Sequence, residues 1–164
     1  MPDISVFINT SPLLYLHQVG QLEILPKLYD LVITPKAVEE ELGVGRERGV
    51  DVPDLNSLTW LDIRTVNSAS AIPNIIDLGR GEAEVIALGL ESSGSLLILD
   101  DQLGRRIAKL YQLKYTGTLG VLIKAKQEGY LAAVAPVIKK LQGQGMWLTE
   151  SVIYTALQLA KETR

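Results

Sequence analysis

The apolar run at residues 95–99, which is followed by two adjacent aspartates, constrains the fold more than any other part of this sequence. A short, uninterrupted apolar run is typical of a strand covered on both faces, and such strands occur mainly in parallel sheets. Helix-like periods separate it from the other strand-like runs, so the sequence predicts an α/β fold with a doubly wound parallel sheet. The other strand-like runs are at residues 4–8, 31–33, 60–66 and 113–116.

Cap residues, prolines and glycines mark where the helices start and stop. Ser11 and Thr34 each precede a proline, a combination that is common at helix starts, and Gly20 follows the first helical period as a stop signal. Residues 43–57 are rich in Gly, Asp and Pro, and residues 67–81 are also loop-like. The predicted helices cover residues 13–19, 35–42, 82–92, 103–110, 118–127, 134–141 and 149–161, and apolar residues also recur at helical spacing over 22–29.

The length of the chain, 164 residues, is close to that of one domain. A hydrophobic fraction of 47% gives it enough apolar surface to fold alone. We therefore expect a single domain over residues 1–164, built in three α/β/α layers, with C-terminal helices at about residues 134–164 packed on it.

The composition limits the chemistry that this chain can perform. It has no Cys and one His, which excludes disulfides, thiolate zinc sites and cysteine nucleophiles and makes a His-based triad hard to assemble. A net charge of −3 argues against a generally basic nucleic-acid coat but leaves room for a local basic patch. Any catalysis must therefore depend on carboxylates.

The sequence contains no candidate membrane segment. No apolar run approaches the ~20 residues needed to cross a bilayer, and the N-terminal residues lack the basic start and apolar core of an export signal. We expect a soluble, cytoplasmic protein that does not contact a membrane.

Polar residues gather after three of the predicted strands. Asn9, Thr10 and Ser11 follow the first strand, Asp100 and Asp101 follow the apolar run, and a Thr-Gly-Thr segment at residues 116–118 follows the next strand. Ligands of open parallel sheets bind outside the carboxyl ends of the strands. We therefore expect these clusters to lie close together.

Two helical glutamates join this set because of the helix faces they occupy. Glu41 lies three and four residues after Val38 and Ala37, so it is expected to point toward the core side of its helix. By the same argument Glu82, rather than Glu84, is the inward group of the next long helix.

Four carboxylates in one site are costly unless a cation compensates them. Two unit charges 4 Å apart repel by ~4 kcal/mol at an effective dielectric constant of ~20. An all-oxygen set of ligands suits Mg²⁺ or Mn²⁺, which also bind phosphates. The chemistry that follows is metal-assisted hydrolysis of a phosphodiester.

An ordered set of motifs along the chain resembles the motifs of PIN-domain proteins, in the branch described as predicted nucleic-acid-binding. The resemblance spans nearly the whole chain. The motifs are NTSPL at 9–13, PKAVEEEL at 35–42, GEAEVIAL at 81–88, LDD at 99–101, GRR at 104–106 and GTLG at 117–120.

The resemblance implies a PIN-like α/β/α sheet with an acidic pocket that binds Mg²⁺ or Mn²⁺ and cuts single-stranded RNA. Many PIN domains are toxins of toxin-antitoxin pairs, so the implied partners are RNA and an antitoxin protein. The implied catalytic residues are Asp101, Glu82, Glu41 and Asn9; the implied metal ligands are Asp101, Glu82, Glu41 and Asp100; the implied nucleic-acid contacts are Ser11, Arg105 and Arg106.

The sequence departs from this pattern at Asn9, where PIN domains that are competent in catalysis usually carry an aspartate. An amide oxygen can ligate a hard cation, but it brings no negative charge. The alternative function is therefore a nucleic-acid-binding or antitoxin-binding module that cuts slowly or not at all.

Each of these residues also has a purely structural interpretation. Asn9, Asp100 and Asp101 can serve as helix caps, and a helix dipole favours Glu82 in a first turn whatever its function. Glu41 can pair with a Lys or Arg in a buried salt bridge.

The residues outside the acidic set have structural interpretations too. Arg105 and Arg106 can form a solvated helix face. Trp147, with its apolar neighbours, is expected in the core or in a homodimer interface. A signalling receiver is a third class, disfavoured because its acidic pair comes early in the chain, whereas here the pair is late.

Overall fold

A parallel sheet of five strands forms the centre of the molecule, seen in a computed structural model that describes residues 4–67 and 74–162. Eight α-helices and one short 3-10 helix accompany the strands in these ranges. The elements are β1 (Ser5–Ile8), α1 (Thr10–Gln18), α2 (Ile24–Leu28), β2 (Leu31–Pro35), α3 (Lys36–Glu47), the 3-10 helix (Leu55–Ser57), β3 (Leu61–Arg64), α4 (Arg80–Glu91), β4 (Leu96–Ile98), α5 (Gln102–Leu110), β5 (Lys114–Thr116), α6 (Thr118–Gln127), α7 (Ala135–Gly143) and α8 (Glu150–Leu159).

The strand order is β3-β2-β1-β4-β5, with every neighbouring pair parallel. Phe7 of β1 lies between Ile33 of β2 and Leu97 of β4 in the register. β2 and β3 lie on one side of β1, and β4 and β5 lie on the other side. The order therefore reverses between β1 and β4, which is where open α/β sheets place their ligand crevice.

Two apolar clusters cover the two faces of the sheet. Because side chains alternate along a strand, Val6 and Ile8 point into one cluster and Phe7 points into the other. The first cluster contains residues of α1, α3, α6 and α7, and the second contains residues of α4 and α5. The three-layer α/β/α fold predicted from the sequence is confirmed.

The C-terminal helices pack on the first of these clusters. Val137, Ile138 and Leu141 of α7 and Ala156 of α8 are buried in it. Both helices therefore share the core that β1 anchors.

The predicted start of the first helix was wrong by three residues. α1 begins at Thr10, directly after β1, and Pro12 is its third residue, where the missing N–H has no partner to lose. Asn9 occupies the N-cap position, but its side chain makes no capping hydrogen bond.

The next helix also differs from its prediction. Thr34 does not cap α3, because its buried hydroxyl donates to the carbonyl of Ile8 at 2.8 Å. The helix continues to Glu47, through a region that the sequence assigned to a loop. Arg46 donates to the carbonyl of Pro53 at 3.1 Å and ties the last turn to the following segment.

The second predicted loop, at residues 67–81, lies partly outside the described residues, which exclude 68–73. Its last part is helical, because α4 begins at Arg80. No helix in the described ranges is both long and apolar enough to cross a membrane.

Candidate active site

Asn9 lies at the carboxyl end of β1, at the point where the strand order reverses. Its backbone N–H donates to the carbonyl of Ile98 at 2.9 Å, and its side chain is buried. The side-chain Nδ2 donates to Oε1 of Glu82 at 3.0 Å. Its Oδ1 is buried with no hydrogen-bond partner among the described residues. An unpaired buried oxygen costs about 1–3 kcal/mol, which a ligand could recover.

Glu41 reaches the same strand end from α3, but not in the way predicted. It was expected to face the core, whereas the structure places it among the exposed residues. Its Oε2 accepts the Thr10 hydroxyl at 2.8 Å, and its Oε1 accepts the N–H of Gly81 at 2.8 Å. Leu42, the next residue, takes the core position instead. The hydrogen-bond donors to Glu41 are thus neutral groups on α1 and α4, and the Arg80 guanidinium adds a coulombic attraction.

Gly81 separates Asn9 from Glu41. A Cβ atom at this position would lie 2.6 Å from Oδ1 of Asn9 and 2.7 Å from Oε1 of Glu41. Side chains larger than hydrogen are excluded there unless one of these groups moves. The missing side chain of Gly81 therefore lets both oxygens approach the same point.

Glu82 and Glu84 have different roles. Glu82 lies in the first turn of α4 and lines a cleft. Glu84, with a side chain only 13% exposed, accepts the N–H of Ala37 at 3.1 Å and lies 3.6 Å from Arg80. Because Pro35 provides no side-chain cap for α3, Glu84 supplies one from another helix. This contact was not predicted from the sequence, although a helix start without a side-chain cap after Pro35 is a signal for it.

Asp101 and Asp100 both cap helices, but two different ones. Oδ2 of Asp101 accepts the N–H of Gly104 at 2.7 Å and caps α5. Asp100 accepts the backbone N–H of Thr118 at 2.8 Å and its hydroxyl at 2.6 Å, which caps α6 behind Gly117. Both oxygens of Asp100 accept from Thr118, and its Oδ1 also lies 3.8 Å from the Arg105 guanidinium. Both aspartates line the cleft, and Asp101 is the more exposed of the two.

Glu82 and Asp101 converge over Gly104. A Cβ atom at Gly104 would lie 3.4 Å from Cγ of Glu82 and 3.5 Å from Oδ2 of Asp101. A helix N-terminus lies under both carboxylates and partly offsets their repulsion.

The cleft that these acids line has a volume of about 680 Å³, within the usual ~300–1,000 Å³ range of ligand pockets. Ser11 and Arg105 line it, whereas Arg106 is not among its lining residues. Arg105 is partly committed: its Nε donates to the carbonyl of Leu99 at 2.9 Å, and its guanidinium lies 5.4 Å from the ring centre of Tyr115.

The cleft also has an aromatic part, which was not predicted from the sequence. Tyr15, Tyr115 and Trp147 line it, although they lie far apart in the sequence. Trp147 is 83% exposed, so its expected place in the core was wrong. No spacing in the sequence could have indicated that these three rings share a cleft.

The donors at this site suit a hard divalent cation. Mg²⁺ is commonly held by one or two carboxylates together with water and substrate phosphates, and Glu82 and Asp101 are two such carboxylates. The buried Oδ1 of Asn9 is a further oxygen in need of a partner. The described residues contain no group of three or more Asp, Glu, His or Cys side chains close enough to hold a metal. Glu41 accepts from Gly81 beside Asn9, and Asp100 accepts from Thr118, so the hydrogen bonds of these two acids are made away from Gly104, where Glu82 and Asp101 meet.

The chain is thus a parallel α/β/α domain with an acidic cleft at the point where the strand order reverses. This combination is that of PIN-like proteins. The family model described as DUF3368, PIN domain, matches residues 5–162, so the chain belongs to this PIN-domain family. PIN domains are typically metal-dependent nucleases that use divalent ions.

The chain is also similar to a solved structure, a PilT N-terminus domain protein, SSO1118, from the hyperthermophilic archaeon Sulfolobus solfataricus P2. The TM-score is 0.52 at 17% identity, over 74% of this chain and 93% of that chain. At this identity the similarity concerns the fold alone. A search among curated proteins finds no match.

Proposed function

We propose that this chain is a Mg²⁺- or Mn²⁺-dependent endoribonuclease that hydrolyses phosphodiester bonds of single-stranded RNA. The observation that carries the proposal is the convergence of Glu82 and Asp101 over Gly104 in a cleft at the carboxyl ends of the strands. Membership of a PIN-domain family supports it, because this fold is typically a metal-dependent nuclease.

The proposed roles follow from the contacts of each side chain. Asp101 and Glu82 are the proposed metal ligands, each with one oxygen engaged in a hydrogen bond. Oδ1 of Asn9 is the neutral ligand beside them. When bound, the divalent ion provides Lewis-acid activation of the phosphate and of the attacking water.

Three other residues act on the substrate or on the shape of the site. The Ser11 hydroxyl and the Arg105 guanidinium line the cleft and can donate to phosphate oxygens. Glu41 is proposed as a positioning residue, because it holds Thr10 and Gly81 beside Asn9. RNA is the proposed partner; an antitoxin protein and a homodimer stay predictions from the sequence.

Cleavage is expected only when a divalent ion is present. The purified chain, incubated with an end-labelled single-stranded RNA, should cut it in Mg²⁺ or Mn²⁺ and stop when EDTA is added. The same RNA annealed to its complement should be cut much less. Cleavage that persists in EDTA would contradict the proposal, as would complete inertness of all RNA substrates in both metals.

Asn9 favours a second candidate function, binding of nucleic acid with little or no cleavage. A neutral amide at the reversal point lowers the charge available to a cation, and the described residues bring no third carboxylate to Glu82 and Asp101. In this second candidate function, the cleft binds RNA but does not hydrolyse it.

Asn9→Asp is expected to raise both metal affinity and cleavage. Without metal the new carboxylate would stand where Nδ2 now donates to Glu82 at 3.0 Å, so repulsion should lower the melting temperature. Mn²⁺ should then raise the melting temperature more in the variant than in the wild type. At a metal concentration well below saturation, where the rate follows metal occupancy, cleavage should increase about tenfold for each ~1.4 kcal/mol of added affinity.

Asn56→Asp, at an exposed residue of the 3-10 helix, is the matched control and should respond to metal as the wild type does. New cleavage in Asn9→Asp from an inactive parent would favour the binding module. If the variant neither binds metal more tightly nor cuts faster, Asn9 has no part in ion binding.

A further inference from the structure

Trp147 is the most exposed large apolar side chain of the acidic cleft, at 83%. It lies between α7 and α8, and its neighbours Met146 and Leu148 pack against the core. The segment is pinned on both sides, because the N–H of Met146 donates to the carbonyl of Leu141 at 3.0 Å and the Thr149 hydroxyl caps α8. The indole is thus presented to solvent by a fixed backbone.

The surroundings of Trp147 combine flat rings with charges. Tyr15 and Tyr115 line the same cleft, with Arg105 over the Tyr115 ring, and the carboxylates of Glu82 and Asp101 line it too. The centre of a protein interface is usually depleted of charged residues. A single-stranded nucleic acid, in contrast, presents flat bases beside phosphates, and proteins bind it with aromatic rings and cations.

We propose that Trp147 stacks on an unpaired base of single-stranded RNA and so positions the neighbouring phosphate at Glu82 and Asp101. The inference rests on the proposed function, since it names how that site would hold its substrate. It makes Trp147 a substrate-binding residue. It also gives a reason for preferring single strands, because a paired base has no free face for the indole.

The test uses the fact that the chain has only two tryptophans. Trp60 is packed against the core and donates to Glu23, so Trp60→Phe leaves Trp147 as the sole indole. This variant is titrated with an unstructured oligoribonucleotide of about 12 nucleotides, long enough to fill a typical single-strand site. Ca²⁺, which takes oxygen ligands as Mg²⁺ does, is the added ion, and the RNA is recovered and checked for integrity.

The oligoribonucleotide is expected to quench Trp147 emission to saturation, and its duplex form is expected not to. In the full chain, Trp147→Ala should weaken binding about tenfold, which is within the usual effect of losing one stacked base. Trp147→Phe, which keeps a ring, should lose less. Tyr130→Ala is the matched control, because Tyr130 is an exposed aromatic residue that does not line the cleft.

The outcomes separate this inference from the proposed function. A labelled oligoribonucleotide could bind stably while Trp147 emission stays unchanged and Trp147→Ala keeps the wild-type affinity. That result would overturn the stacking by Trp147 but would not affect the proposed nuclease function. Quenching by RNA in a chain that never cuts it would overturn the nuclease alone. If Trp147→Ala converts a dimer to a monomer in sedimentation without changing RNA affinity, Trp147 belongs to a protein interface and the inference fails.

Discussion

Replacing Asp101 with asparagine is expected to lower the rate of RNA cleavage about 100-fold or more while leaving the fold intact. Substitutions in the outer shell of metal sites typically cost 10–100-fold, so removal of a ligand charge should reach at least the top of that range. The fold should survive because asparagine caps helices about as well as aspartate, and Asp101 caps α5. Initial rates in Mg²⁺ and Mn²⁺, with a thermal melt of the same sample, measure both effects.

Asp54 provides a matched control for Asp101. It also caps a helix, the 3-10 helix at Leu55–Ser57, where it accepts the N–H of Asn56 at 3.3 Å, and it does not line the cleft. Asp54→Asn should leave cleavage unchanged. If Asp101→Asn cleaves RNA as fast as the wild type, Asp101 is not a metal ligand and only caps α5.

The proposed site also predicts a change in metal binding that does not depend on turnover. Calorimetric titration of Mn²⁺ into the wild type should give a binding isotherm that Asp101→Asn weakens. Equal binding by both chains would locate the ion elsewhere, even if cleavage were lost.

The sheet could be predicted because its signals are local. The apolar run that forms β4, and the polar residues directly after β1 and β4, are properties of adjacent residues, and these are the two strands between which the order of the sheet reverses. The end of α3 could not be predicted in the same way. Gly43 and Gly45 indicate a loop, but the helix continues through both to Glu47, and Gly49, with a positive φ of 84°, follows just after its end.

Among the acids of the site, too, local signals were predictive and contacts between distant segments were not. Asp100 and Asp101 were found because they follow a strand, and the structure shows that each caps a helix. Glu41 was assigned to the core side from its spacing alone. Its actual direction depends on Thr10 and on the backbone of Gly81, which approach from other helices. Contacts between distant segments therefore limited the prediction of side-chain roles more than that of strands.

Glu162 ties the end of the chain to the start of α7. Its carboxylate accepts the N–H groups of Val134 and Ala135 at 2.6 and 3.0 Å, and the Lys126 ammonium lies 3.1 Å away. Burial alone would raise the pKa of Glu162, but these three donors outweigh it and lower the pKa below its ordinary value of 4.5. The contacts therefore stabilise the ionised carboxylate in the folded chain.

Glu162→Ala is expected to lower the free energy of unfolding by about 2–3 kcal/mol at neutral pH, the usual scale for hydrogen bonds to a charged group. For a chain of this size, the melting temperature should fall by about 5–10 °C. Glu162→Gln keeps one acceptor but no charge, so its loss should be intermediate. Melts followed by circular dichroism measure both variants.

The stability difference between wild type and Glu162→Ala should also depend on pH. A carboxyl whose folded pKa is depressed contributes its full stability above its unfolded pKa, here 4.5, and loses it as the pH falls through the lower folded value. The two melting temperatures should therefore differ most near neutral pH and approach each other in acid below about pH 4.5. A difference that stays constant from neutral pH into this acid range would show that Glu162 acts through packing rather than through its charge.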